Sequence, residues 1–463
     1  MAQAIIERNM AHITVAEEQY NFTPELKKKV FYLLGTGILL FIIGLVLAMS
    51  GAGHNEGGGH AAAGASQELV ASLQDDAAAA HGHEATEHHG SAVWLKRTWA
   101  TLWTNNMYFI GLAIIGLFFV TIQYAAQAGW SAGILRVPLA MAHWLPIAGI
   151  LTLVLWFLVR HDLFHWTHAD LYVEDGAQFD AIINGKGPFF YWPLESGGFP
   201  LFFILRMVIF FGLWYWFFLQ IRKNMLAEDL DPSTTYWFKN RSLSAWFLVF
   251  FAVSSSVAAW DWIMSIDTHW FSTMFGWYVF ASWWVTGLAF ITLIVAHLKS
   301  AGYLKVVNAN HLHDLGKFIF AFSIFWTYIW FGQFLLIYYA NIPEETVYFI
   351  ERMRSSPYGW IFYANLILNF VLPLLLFMTR DSKRQLSTLK LICPIVLVGH
   401  WFDFYNMVTP GVMQEQGGLG FLEIGAALIF LAAFFFVMLS SLSRMPLIGR
   451  NHPMLEESLH HHI

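Results

Sequence analysis

The sequence predicts an all-α integral membrane protein of ten transmembrane helices, and three observations carry that prediction. Of 463 residues, 57% are hydrophobic and only 12% are Asp, Glu, Lys or Arg, about half the charged share of an ordinary soluble chain. Ten stretches stay apolar over about 20 residues, the length of helix that crosses a bilayer core of roughly 30 Å. The basic residues then sort by side. With the N-terminus inside, 18 Lys/Arg fall on the inner side and 6 on the outer, with Arg206 within a span, as the positive-inside rule expects for a cytoplasmic N-terminus.

In chain order, a cytoplasmic segment 1–29 leads into the first span, 30–49. Lys27 to Lys29 precede this span and small residues follow it, as at a signal peptide. Its length exceeds the 7–15 residues of a signal-peptide core, so it is read as an uncleaved anchor. Residues 50–106 form an outer loop rich in His, Ala and Gly, with an interfacial segment at its end. His54, His60, His81, His83, His88 and His89 have no fixed ligand spacing, which favours a solvated insertion and leaves weak divalent-metal binding as the alternative.

Spans 107–126, 138–159, 201–221 and 243–264 make a first four-helix bundle, 107–264. Spans 271–297, 317–340, 358–378 and 389–407 make a second, 265–408. An outer loop and the tenth span occupy 409–440, and a cytoplasmic tail, 441–463, follows. His161, His165 and His168 stand at i, i+4 and i+7 after the third span. They could face one metal on a helix, though Trp166 and Tyr172 mark a surface helix at headgroup level. His460 to His462 read as a polar tail.

Charged groups inside a membrane span are costly and are therefore functional candidates. Here they are Arg206, Asp261, His400, Asp403 and Glu423, with His143 and His297 toward the cytoplasmic ends of their spans. His400 and Asp403, three apart, share a helix face and can exchange a proton or a hydrogen bond. Ser254, Ala258 and Asp261 form a small, polar stripe that could line a water file or pack on a neighbouring helix. Asp267 and His269 follow in a short outer connection, extending an acid-base ladder from Asp261. Burial disfavours a charged carboxylate, so Asp261 or Asp403 could accept and release a proton, and Arg206 opposes that wherever it lies close. The competing reading is that these polar groups simply fix helix packing.

Trp260-Asp261-Trp262 on the fifth span is matched by Phe402-Asp403-Phe404 on the ninth. The two spans run in the same direction four apart, as a parallel duplication of a four-helix unit would place them. One cysteine, Cys393, excludes an intrachain disulfide and a cysteine-held zinc or iron-sulfur site. The histidines within spans form no paired layers for haem. Net charge is -6 and no basic, aromatic-interleaved stripe points to nucleic acid.

The run from Ala259 to Gly276, AWDWIMSIDTHWFSTMFG, and the run His400 to Tyr405, HWFDFY, together with the ten-span plan, resemble the NrfD/PsrC-like membrane subunits of bacterial respiratory complexes. The likeness covers about 30–440 and is closest to the ActF-type subunit of alternative complex III, a quinol:cytochrome c oxidoreductase. The resemblance implies two four-helix bundles, spans 2–5 and 6–9, flanked by spans 1 and 10, in the bacterial inner membrane. It implies a second NrfD-like subunit, an iron-sulfur protein on the periplasmic side and c-type cytochromes as partners. Haem c and iron-sulfur clusters would reside in those partners, with none bound by this chain; quinone or menaquinone and lipid would be its small molecules. Asp261, Asp267, His269, His400 and Asp403 become candidates for proton transfer or for flanking a quinone, alongside Arg206, His143 and Glu423. A scaffold subunit of the same complex is the competing role. A secondary transporter or channel is disfavoured by long spans without matched breaks.

Overall fold

The computed structural model describes residues 18–51 and 91–462, so the His-rich stretch 54–89 lies outside the described residues. Ten helices are long and apolar enough to cross a membrane, and the chain is a multi-pass membrane protein. They are α1 (Pro24–Gly51), α2 (Val93–Ala126), α3 (Arg136–Leu163), α5 (Leu201–Glu228), α6 (Thr235–Trp262), α7 (Phe275–Ser300), α8 (Ala309–Ala340), α10 (Gly359–Leu376), α11 (Leu386–Met413) and α12 (Phe421–Leu442). Three short helices complete the set: α4 (Ala181–Tyr191), α9 (Pro343–Arg354) and α13 (Leu455–Leu459). Among the described residues there is no strand, only an isolated bridge between Gln19 and Pro446.

Contacts divide the spans as the duplication predicts. α2, α3, α5 and α6 close one four-helix ring, and α7, α8, α10 and α11 close another. The rings meet where α2 touches α7 and α11 and where α6 touches α7, while α1 packs on α12. α7 and α2 are the most deeply buried of the ten, enclosed by the other helices on nearly every side. Both described chain ends lie on one face, here the terminal face: Leu447 N donates to Glu18 O at 2.9 Å and Gln19 Nε2 to Ser443 O at 3.1 Å. The loops after α3, α6, α8 and α11 lie on the opposite face.

Several boundaries differ from the sequence reading, each for a physical reason. α2 begins at Val93, so residues 93–106 are not a loop segment but helix; the buried Thr98, Thr101, Thr104, Asn105 and Asn106 lower its hydropathy without weakening it. α8 begins at Ala309 because Asn308 caps it, accepting from Asn310 N at 2.8 Å and His311 N at 3.3 Å. The helix expected to carry His161, His165 and His168 stops at Leu163 and two short 3-10 turns follow, which still bring the His168 ring against the other two, with centroids 5.4 Å from His161 and 5.6 Å from His165. The tail is docked rather than free: His461 O accepts from Asn308 and Asn310, and His461 Nε2 lies 2.6 Å from Asp314. Two spans are interrupted, α3 by a 3-10 turn at Ala142–Trp144 and α10 by a π-helical turn at Ile367–Val371, at positions that do not correspond between the bundles.

Candidate functional site

The two aromatic-Asp-aromatic motifs place their aspartates at full burial but in unlike company. Asp261 on α6 is gripped from α5 by Arg206, whose Nε and Nη2 each donate at 2.7 Å to a different carboxylate oxygen. The guanidinium sits over the rings of Phe189 and Phe202, and its Nη1 donates to Phe189 O at 2.7 Å. Asp261 is thus held at both oxygens by one guanidinium, a two-point ion pair that fixes α5 against α6. The small face of α6 is filled in the same way: Ser254 Oγ accepts from Trp214 Nε1 at 2.9 Å, which closes the stripe by helix packing rather than leaving a water file.

Asp403 on α11 faces neutral donors instead. Tyr278 of α7 donates its hydroxyl to Oδ1, Asn365 of α10 donates Nδ2 to Oδ1 at 2.8 Å, and Trp326 of α8 donates Nε1 to Oδ2 at 2.9 Å. All three other helices of the second bundle thus converge on one carboxylate. His400 does not hydrogen-bond to it, because Nδ1 stands 3.8 Å from Oδ2 and pairs with Ser282 Oγ at 3.0 Å. The expected direct exchange within the His400/Asp403 pair is therefore replaced by contacts to other helices; at this spacing a proton needs an intermediary.

Around Asp403 lie buried polar atoms without a protein partner: His400 Nε2, Asn369 Oδ1, Gln333 Nε2, Thr409 Oγ1 and both side-chain atoms of Asn406. Asn365 precedes the π turn of α10 and Asn369 lies within it, and the two bond to one another at 2.5 Å. Such turns recur at functional sites. Tyr278, Gln333, Asn365 and Asn406 line a cavity of about 10 Å³ together with Arg352 of α9, room for a single water centre.

The predicted ladder from Asp261 through Asp267 to His269 is broken into three separate pairs. Asp267 binds Arg352 Nη2 at 2.8 Å, and His269 Nε2 lies 2.6 Å from Asp180 Oδ2. Asp180 also caps α4, accepting from Ile182 N and Ile183 N at 2.9 Å. Burial pushes its carboxyl upward, but His269 and the two amides outweigh that and hold it below the usual range. Glu423 accepts from Arg97 at 2.6 Å and 2.9 Å and from Gly420 N at 2.7 Å, an arrangement that fixes the start of α12 against α2. His143 pairs with Ser441 at 2.8 Å across α3 and α12, and His297 with Leu293 O at 2.8 Å on its own helix. Glu423, His143 and His297 lie apart from the Asp403 cluster, and Asp267 approaches it only through Arg352.

Sequence reasoning missed Tyr278, Trp326 and Asn365, the donors that define the site, and Arg352 and Gln333 beside it. Asn365 and Asn369, one turn apart in an apolar span, were the available signal; Tyr278 and Trp326 carried none in a chain with 17 Tyr and 22 Trp. A further buried cluster near the terminal face also went unread: Arg136 binds Asp229 at 2.7 Å and 2.8 Å, and Tyr124 donates to Glu228 at 3.2 Å. No three His, Cys, Asp or Glu side chains among the described residues are grouped to hold a metal ion. No family model matches the chain, and no curated protein matches it significantly.

Proposed function

We propose that this chain is the membrane subunit of a bacterial respiratory quinol:acceptor oxidoreductase of the alternative complex III kind, and that its second bundle carries protons through Asp403. Oxidising a quinol releases two protons with two electrons, so such a complex needs a polar route as well as an electron acceptor. In this reading the electrons pass to haem and iron-sulfur groups in partner subunits, and the present chain supplies the proton route. The observation that carries it is the shell of Asp403: a carboxylate at 0% exposure, met by neutral donors from three helices and followed by unpartnered polar atoms along the bundle. Asp403 has no cation among its hydrogen-bond partners, whereas Asp261 is tied to the Arg206 guanidinium at both oxygens. The terminal face is assigned to the cytoplasm, on the distribution of Lys and Arg.

A scaffold role is favoured for the first bundle, by the Arg206–Asp261 pair. Arg97–Glu423 does the same between α2 and α12. The discriminating experiment replaces each aspartate by asparagine in the assembled complex and measures yield, quinol oxidation and protons released per electron. Asp403→Asn should assemble normally and lose at least about a hundredfold in proton-coupled turnover, the lower end of what positioned proton-transfer groups contribute. Asp261→Asn should lower assembly and thermal stability instead, since Arg206 would keep a buried charge without its counter-ion. Normal proton release and turnover in Asp403→Asn removes the proton-route reading.

A further inference from the structure

On the side of Asp403 toward the opposite face stands a buried cation, Arg352, with Asp267 at 2.8 Å and Glu351 at 3.9 Å from its guanidinium. It projects from α9, the short helix outside the spans, and is 2% exposed. Nε donates to Asn406 O at 2.8 Å, Nη1 to Tyr348 O at 2.9 Å, and Nη2 to Asp267 Oδ2 at 2.8 Å and Met407 O at 3.3 Å. The guanidinium lies 3.4 Å from the ring centroid of Tyr348. It is thus fixed at every donor nitrogen, with its counter-ion toward the surface and its other side on the cavity. Of the residues lining that cavity, Tyr278 and Asn365 are donors to Asp403, and Gln333 and Asn406 carry three polar atoms without a protein partner. Arg352 is the one charged residue among them.

A cavity sized for one water, with unpartnered polar groups on its wall, is a site that water fills. That water would touch the hydrogen-bond shell of Asp403 on one side and a fixed cation on the other. A cation aimed into a narrow water-holding passage raises the cost of moving excess positive charge through it, which is how channel proteins exclude protons. Building on the proton-route reading above, we infer that Arg352 is the electrostatic plug of the second bundle: it lets a water contact the Asp403 shell while preventing protons from running freely between Asp403 and the opposite surface. Arg352 is a positioning and selectivity residue here; it transfers no proton itself. Burial works against its charge, but Tyr348, Asp267 and Glu351 outweigh burial and hold the guanidinium above its ordinary range, so the plug stays charged.

The test is passive proton flux. The full chain is reconstituted into liposomes holding a pH-sensitive dye, with a pH gradient imposed and potassium and valinomycin clamping the potential. Arg352→Gln should raise the flux about tenfold, a like charge a few ångströms away being worth at least that at protein dielectric even after Asp267 and the more distant Glu351 offset part of it. Arg352→Lys, which keeps the charge and loses the fork, should stay near the unmodified chain. Gln333→Glu leaves every Arg352 contact in place and sets an anion against it, so flux should rise severalfold; this variant decides the matter if Arg352→Gln fails to insert. Adding Asp403→Asn to Arg352→Gln should return the flux to baseline. A folded Arg352→Gln with unchanged flux overturns the plug, as does an equal rise in Arg352→Lys, or an unchanged flux in Gln333→Glu. The assay needs no electron donor or partner subunit, so its failure is separable: lost turnover in Asp403→Asn with no leak in Arg352→Gln removes the plug and leaves the proton route.

Discussion

His452 lies on the ring of Tyr124, centroids 5.6 Å apart, and its Nδ1 accepts the amide of Met454 at 3.3 Å. Burial, and then the charge of Arg136, push its pKa down to about 3 from an ordinary 6.5. Released from the fold the ring binds a proton more readily, so docking of the tail is full above about 6.5 and weakens as pH falls from there toward 3. Hydrogen exchange of residues 445–459 should therefore speed up on acidification across that window, and His452→Gln should flatten the dependence. This contact was not legible, because nothing local to His452 announces Arg136 more than 300 residues earlier. Asp261 and Asp403 were legible as buried acids from their cost in a membrane. Their divergence was not, since it turns on whether α5 or α10 presents Arg206 or Asn365, a matter of rotation about helix axes that hydropathy does not encode.

At the scale of elements, α1 and α12 approach until backbone meets backbone. A Cβ on Gly425 would lie 2.3 Å from Phe41 N and 2.7 Å from its Cα, and one on Gly44 would lie 2.2 Å from Leu422 N. Close approach through small residues is what holds helices together in lipid, where burial of apolar surface offers no advantage. Gly425→Leu must push the pair apart and should cost about 1–3 kcal/mol or more, read as a lower unfolding temperature in mild detergent. Gly35→Ala on α1, with nothing within 4 Å, should change little. All ten spans were legible because each contains an apolar core longer than a globular protein needs. Their ends were not, because α2, α6 and α8 continue past the apolar stretch with polar residues turned toward neighbouring helices.

For the whole molecule, the parallel repeat was visible in three residues and is realised as two closed rings joined through α2, α6, α7 and α11. The even span number, legible from hydropathy alone, puts Asp381 on the terminal face and Glu344 on the opposite one. Both are exposed, and the single native cysteine, Cys393, is fully buried. Single cysteines at these positions should separate cleanly in intact cells: a membrane-impermeant maleimide should label Glu344→Cys and spare Asp381→Cys until the membrane is opened. The reverse pattern would invert the assigned orientation. Less visible was α9, whose polar composition gives no span signal, yet it brings Arg352 and Asp267 together over the mouth of the second ring.

The pairing of α1 with α12 has a consequence for how the chain is made. About 370 residues separate the end of the first span from the start of the last, which at roughly 5–20 residues per second is on the order of 20–75 seconds of translation. Throughout that interval the glycine face of α1 has no mate. The first and last spans are also the two most apolar of the ten, so each can wait in lipid alone. A ribosome that stalls before residue 421 leaves a protein with both rings threaded and the face of α1 at Gly37 and Gly44 without the backbone it packs on.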